Sequence, residues 1–395
     1  MPAIGCPRIT QHLVHPVLLS TDVHDKMLRA KDRPGVSPGE TRKNVDMKLP
    51  LSPSPKKILV AVCNWLGDVV ISLPALRAIR RSFPEAHIAI LVRRNLAGFF
   101  DGFSWIDEII AYSVRPGMSG IADHLSVIRA IRSRRFDLAV FFPKTRELAV
   151  WATLAGVPRR AGYIADLRGP MLTHSVPPPP HGTHGHQVDH WLAMVRNTIG
   201  AIGEARDNTI EPQEQNLRSM RRWLEARRKR RCSRLIAIAP GASFGPSKRW
   251  PPSYFVQLVA DLVENHGAEC VLVGVSSERA LCEEIAAASR CDPIIAAAET
   301  EVGELIALLA LCDGFVGNDS GPMHVAAALG RPTVGIFGPT DPGRTGPMGP
   351  NATFLWERLE CSPCFKTTCP FGHQNCLTQI VPAKPVQTLR SLAGW

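Results

Sequence analysis

No stretch of the sequence approaches the roughly 18–20 consecutive apolar residues that a membrane-crossing helix requires. Leu13 to Leu19 is too short for the apolar region of a signal peptide, is broken by His15 and Pro16, and has no small-residue cleavage site after it. The expectation is a chain that stays on the cytoplasmic side. Acidic residues are scarce beside basic ones, 35 Asp+Glu against 46 Lys+Arg, a net charge of +11. Such a surplus suits nucleic acid, an acidic membrane face or a phosphorylated substrate without choosing among them. No G-x-G-x-x-G is present, which argues against a nicotinamide or flavin cofactor. The 11 cysteines are odd in number and mostly scattered through apolar or loop segments, which suits a reducing compartment better than a disulfide framework.

What is present is a chain of 395 residues, 45% apolar and 21% charged, long enough for two or three domains with cores of their own. Residues 1–57 carry Pro, Ser and charge with no sustained period and read as a mobile extension. Met47 stands close before the first strand and is a candidate translation start. That strand, Ile58–Val62, is apolar throughout, as a strand covered on both faces must be. Helical spacing at Val69, Leu73, Leu76 and Ile79 follows, with Pro74 predicting a start near Ser72 or a kink. Strands at Ile88–Val92, Asp107–Tyr112 and Leu138–Phe142 then alternate with a helix around Ile121–Arg132. After a basic stretch, Arg218–Arg234, strands recur at Leu235–Ala239, Cys270–Val273, Gly314–Val316 and Thr333–Phe337. The alternation predicts an α/β fold of two doubly wound parallel sheets, residues 58–230 and 231–395, with a ligand cleft between the carboxyl ends of their strands.

Three turns at such strand ends carry chemistry. In Asn64-Trp65-Leu66-Gly67-Asp68, Gly67 permits close approach of a ligand. Asp68 is placed either to take a proton from a hydroxyl or to cap the next helix. Pro240-Gly241-Ala242-Ser243, continuing to Ser247-Lys248-Arg249, is either a diphosphate turn backed by a cation or an ordinary turn with exposed basic residues. Gly317-Asn318-Asp319-Ser320-Gly321-Pro322-Met323-His324 ends a strand and opens a small-residue helix. Its free N–H groups and dipole suit an anion.

Near the end, Cys361, Cys364, Cys369 and Cys376, with His373, leave zinc, a disulfide pair or free thiols open. The histidines flanking Pro177–Pro180 (His174, His181, His184 and His186) are metal-ligand candidates or simply solvated. The basic stretch has only Trp223 as an aromatic, so a solvated or membrane-facing surface fits it better than nucleic-acid binding.

In order and spacing, these motifs resemble glycosyltransferase family 9, the ADP-heptose:lipopolysaccharide heptosyltransferases, from about Ile58 to the C-terminus. The resemblance rests on Trp65–Val70 with Leu73-Pro74-Ala75-Leu76-Arg77, on Phe83-Pro84, on Gly156–Tyr163, on Lys248-Arg249-Trp250-Pro251 and on Asn318–His324. The tail Cys361-Ser362-Pro363-Cys364, with Cys369–His373 and Cys376-Leu377, is most like the heptosyltransferase II branch. The resemblance implies a GT-B architecture of two Rossmann-like domains facing a cleft, with inverting chemistry that needs no metal or other cofactor. The donor it implies is ADP-L-glycero-D-manno-heptose, bound by the C-terminal domain. The N-terminal domain would take a lipid-linked Kdo/heptose acceptor at the inner membrane surface, and residues near 377–395 would cross back onto it.

On this reading Asp68 is the general base, beside an acceptor-side loop containing Trp65 and Gly67. Lys248, Ser243 and the N–H groups around Ser320, Gly321, Met323 and His324 hold the diphosphate. Asp319 holds sugar hydroxyls or orients its turn, Glu278 reaches the ribose, and Thr300 lines the nucleotide site. Within the family, a heptosyltransferase I or III would use the same donor. Another nucleotide sugar on the same fold, and a nonenzymatic anionic-lipid module, are the further alternatives.

Overall fold

The computed structural model describes residues 51–180, 183, 185–203, 205–229 and 234–395. The proposed translation start at Met47, nearly all of the 1–57 extension, His181 and His184 lie outside them.

The first half runs β1 (Lys57–Ala61), α1 (Leu66–Ser82), β2 (His87–Arg93), β3 (Glu108–Tyr112), α2 (Ile121–Arg134), β4 (Leu138–Phe141), α3 (Arg146–Leu154), β5 (Arg159–Tyr163), β6 (His174–Val176) and α4 (Gln187–Ile199). Helix α5 (Glu214–Glu225) leads into β7 (Arg234–Ala239), α6 (Pro252–Glu264), β8 (Ala268–Leu272), α7 (Arg279–Ser289), β9 (Ile294–Ile295), α8 (Val302–Ala310), β10 (Gly314–Asn318), α9 (Gly321–Ala328), β11 (Thr333–Phe337), α10 (Pro342–Thr345), β12 (Ala352–Trp356), α11 (Asn375–Thr378) and α12 (Ala383–Ala393).

The strands form two 6-stranded sheets, ordered β3-β2-β1-β4-β5-β6 and β12-β11-β10-β7-β8-β9, with all pairings parallel. In each sheet the order reverses beside the first strand, at β1/β4 and at β7/β10. Ligand crevices open at such switch points.

Alternation along β1 shows how the layers are made. Ile58 and Val60 face a core shared with α1 and α4, whereas Leu59 and Ala61 face one shared with α2 and α3. The first of these cores continues into the second half through α8 and α9, where Ile306, Leu308, Met323 and Val325 belong to the same buried cluster. The far face of the second sheet is covered by α6, α7 and α12.

Two expectations need correction. Helix α1 begins at Leu66, not near Ser72, and passes through Pro74. Proline removes one backbone bond at a cost of about 3 kcal/mol. Burial of Val69, Val70, Leu73, Leu76 and Ile79 outweighs it, each such side chain being worth roughly 1.5–3 kcal/mol. The terminal helix α12 does not cross back onto the first half. Its Val386 and Leu389 are buried in the far-face core of the second sheet, and Leu389 lies against Gly314 of β10.

The basic stretch is less solvated than its composition suggests. Met220 and Leu224 of α5 are buried, Arg228 pairs with the buried Glu269 at 2.7 Å, and Arg227 pairs with Glu299 at 3.2 Å.

Candidate active site

The two halves meet where two helices begin. A Cβ placed on Gly67, in the first turn of α1, would stand 2.7 Å from the His324 ring, and one on Gly321, in the first turn of α9, would stand 2.9 Å from Leu66 Cβ. Glycine at both positions is what lets the helix starts abut. With them come both sets of unpaired N–H groups and the positive ends of both helix dipoles.

Asp68 sits in the first turn of α1, but it does not cap the helix. The cap position is Trp65, without a side-chain hydrogen bond. Burial instead pushes the Asp68 carboxyl up to about 6, with the nearby Asp319 raising it further and Lys248 opposing. A carboxylate so placed is a competent base near neutral pH. Trp65 itself is 59% exposed at the mouth of the loop.

Across from Asp68, Lys248 Nζ lies 2.5 Å from Asp319 Oδ2 and 5.0 Å from the Phe244 ring centroid. Asp319 also accepts a 2.7 Å bond from Thr340 Oγ1. The carboxylate therefore orients the cation. His324 is buried, and burial holds its imidazole down near 4, with Asp319 opposing and His186 and Lys248 contributing. It is neutral at pH 7. Ser320, at the start of α9, has a buried hydroxyl without a hydrogen-bond partner. The Met323 side chain points into the core against Gly335, which leaves only its backbone for a ligand. Ser243 is exposed in the turn after β7.

Glu278 and Thr300 come from the segments after β8 and β9. Glu278 is buried and accepts from Val275 N at 3.0 Å. Its carboxyl fills the space that a Cβ would take on Gly241 or Gly274. Thr300 ends the loop after β9, which is tied to the Gly274 carbonyl through Ala298 N at 3.0 Å.

Several residues that build the site escape sequence reasoning. Asn318 is fully buried: its Nδ2 donates to the Pro240 carbonyl at 2.7 Å and its Oδ1 accepts from Trp250 N at 3.0 Å. It thereby ties the turn after β10 to the turn after β7. Thr340 comes from the end of β11. The cysteine tail braces both regions from behind. Ser247 donates through N to Thr367 O at 3.1 Å and through Oγ to Lys366 O at 2.5 Å. Ser362 Oγ donates to Gly338 O at 2.6 Å. A composition-blind motif such as C-x2-C gives no signal of that bracing.

The tail cysteines are free thiols. Burial, then the neighbouring Cys361, Cys364 and Cys369, pushes Cys376 up to about 11. Among the described residues no group of three or more His, Cys, Asp or Glu is arranged to hold a metal ion. His186 is not solvated; it caps α4, its Nδ1 accepting from Val188 N and its Nε2 facing the Gly346 carbonyl of the second half at 3.0 Å.

The sequence model of glycosyltransferase family 9 (heptosyltransferase) matches residues 124–375. The chain is 27% identical over 353 residues to lipopolysaccharide heptosyltransferase 2 of Escherichia coli (strain K12), covering 85% of this chain and 98% of that one. It is 31% identical over 330 residues to lipopolysaccharide heptosyltransferase 1 of Pseudomonas aeruginosa, covering 80% and 88%. Its fold matches the solved structure of E. coli ADP-heptose heptosyltransferase II with a TM-score of 0.72 at 24% identity, covering 85% and 98%. The two facing parallel sheets are those of the GT-B heptosyltransferases, and the chain, an enzyme, belongs to glycosyltransferase family 9.

Proposed function

We propose that the protein transfers L-glycero-D-manno-heptose from ADP-heptose, with inversion, to the heptosyl-Kdo-lipid A inner core of lipopolysaccharide. The observation that carries this reading is Asp68, a carboxylate lifted to about 6 at the junction of two helix starts and facing the Lys248–Asp319 pair. Asp68 takes the proton of the acceptor hydroxyl as its oxygen attacks the anomeric carbon and the bond to the ADP oxygen breaks. One displacement and one base suffice for inversion. Charge develops on the departing diphosphate. Lys248 and the N–H groups of Gly321, Met323 and His324 are its stabilisers, and preorganised donors are worth most against such charge. Glu278 holds the ribose, with Thr300 beside it, and Ser243 assists at the diphosphate turn.

The relatives named heptosyltransferase 2 support this choice of acceptor. Among the described residues no helix is long and apolar enough to cross a membrane. We place the enzyme peripherally at the cytoplasmic face of the inner membrane, where anionic lipid attracts a chain of net charge +11. The 31% identity to a heptosyltransferase 1 makes transfer to bare Kdo-lipid A the second reading. Incubation with ADP-heptose and heptosyl-Kdo-lipid A, read by mass, tests the proposal. Wild type adds one heptose and Asp68→Asn adds it about 10²–10⁴ times more slowly, the size of a general-base contribution.

A further inference from the structure

A second group of charges lies beside this site and takes no part in the chemistry above. Lys144 follows β4 at the ligand end of the first sheet, and its Nζ stands 5.6 Å from the centroid of the Tyr163 ring. The Tyr163 hydroxyl donates to the His190 carbonyl in the first turns of α4. His186, which caps α4, meets the Gly346 carbonyl of the second half at 3.0 Å. Two residues before Gly346 is Arg344, whose guanidinium lies 5.6 Å from the Phe365 ring centroid. One cation from each half is thus brought to the junction through a short chain of contacts.

The protein holds these cations there without neutralising them. Neither Lys144 nor Arg344 is paired with a carboxylate among the described residues. Burial and the charges of Arg344 and Arg168 all hold the Lys144 ammonium below its usual range. Arg168 is fully buried, donates to the carbonyls of Tyr163, Pro143 and Thr145, and has one terminal nitrogen with no partner. It fixes the backbone on either side of Lys144. Lys144 is exposed and Arg344 partly buried; like charges gathered there repel one another, and an anion relieves that cost.

We propose that Lys144 and Arg344 form an anion subsite for a carboxylate or phosphate of the acceptor, with Arg168 positioning the Lys144 loop. The inference rests on the function proposed above and names the group by which the acceptor is held. The donor diphosphate is assigned elsewhere, because it has Lys248 and the start of α9. The subsite lies at the contact that His186 and Gly346 make between the halves.

The test is equilibrium binding of heptosyl-Kdo-lipid A in detergent to wild type, K144Q and R344Q, with ADP-heptose binding measured in parallel. Each variant weakens acceptor binding about tenfold, the share of one charge-assisted hydrogen bond. ADP-heptose affinity is unchanged, and in turnover the acceptor KM rises while kcat at saturation holds. The gap between wild type and variants closes on an acceptor stripped of its phosphates, or on one with methyl-esterified carboxylates, and thereby identifies the anion. Equal acceptor binding by all three proteins, or a loss confined to ADP-heptose, overturns the subsite alone. Wild type that binds no acceptor overturns the proposed function together with it.

Discussion

In the proposed reaction Asp68 is the general base, and its environment makes the pH dependence specific. Its carboxyl is lifted to about 6 from an ordinary 3.8, chiefly by burial. As a base it must be ionised, so kcat/KM falls about tenfold per pH unit below 6 and levels off above it. An acid limb near 4 would contradict that. The same lift costs stability. A carboxyl with a raised folded pKa favours the folded state when protonated, and the advantage is lost as pH rises through about 6. Asp68→Asn is therefore more stable than wild type at pH 7.5, by roughly 1–2 kcal/mol, and the difference shrinks as pH is lowered through 6; thermal melting at the two pH values checks it. The position of Asp68 after β1 was legible because local sequence and local position coincide there. The set of Lys248, Asp319 and Thr340 that acts on its charge was not, since Thr340 bonds Asp319 from the end of a different strand. Asn318 stood in plain view within its motif, yet its side chain bonds backbone groups of the segment after β7, which no spacing rule encodes.

At the scale of elements, glycine settles how close the halves approach. Gly321→Ala puts a methyl group 2.9 Å from Leu66 Cβ. Overpacking of that kind costs typically 1–3 kcal/mol, and the loss appears as a lower midpoint in denaturant with unchanged slope. A neutral effect would mean that the helix starts part readily. Eight of the described strands were legible because apolar runs between turn signals are what two-sided burial demands, with β1 placed to within a residue, whereas β5, β6, β9 and β12 were not read. The start of α1 was misread through Pro74, because a local helix-breaking preference gave way to tertiary burial. The tail was misread for a related reason. A helix with apolar Val386 and Leu389 will cover whichever sheet offers an open face, and the choice of the second sheet is made by the fold.

The described residues from 51 onward form two sheets joined by one apolar core. That cluster runs from β1 and α1 through α4 to α8 and α9, so neither half can unfold without exposing surface on the other. Calorimetry should give a single transition over the described halves; two well-separated transitions would show that the shared core contributes little to cohesion. The start of the second sheet at β7 was readable as a restart of the strand pattern, whereas the core shared by both sheets was not, since its residues look like ordinary core positions within each. The reaction itself is tested most directly by offering ADP-heptose with Kdo-lipid A and, separately, with its mono-heptosylated form, and weighing the products. One heptose gained on the heptosylated acceptor and none on bare Kdo-lipid A is the predicted result. A gain on bare Kdo-lipid A alone, or on neither, would contradict it.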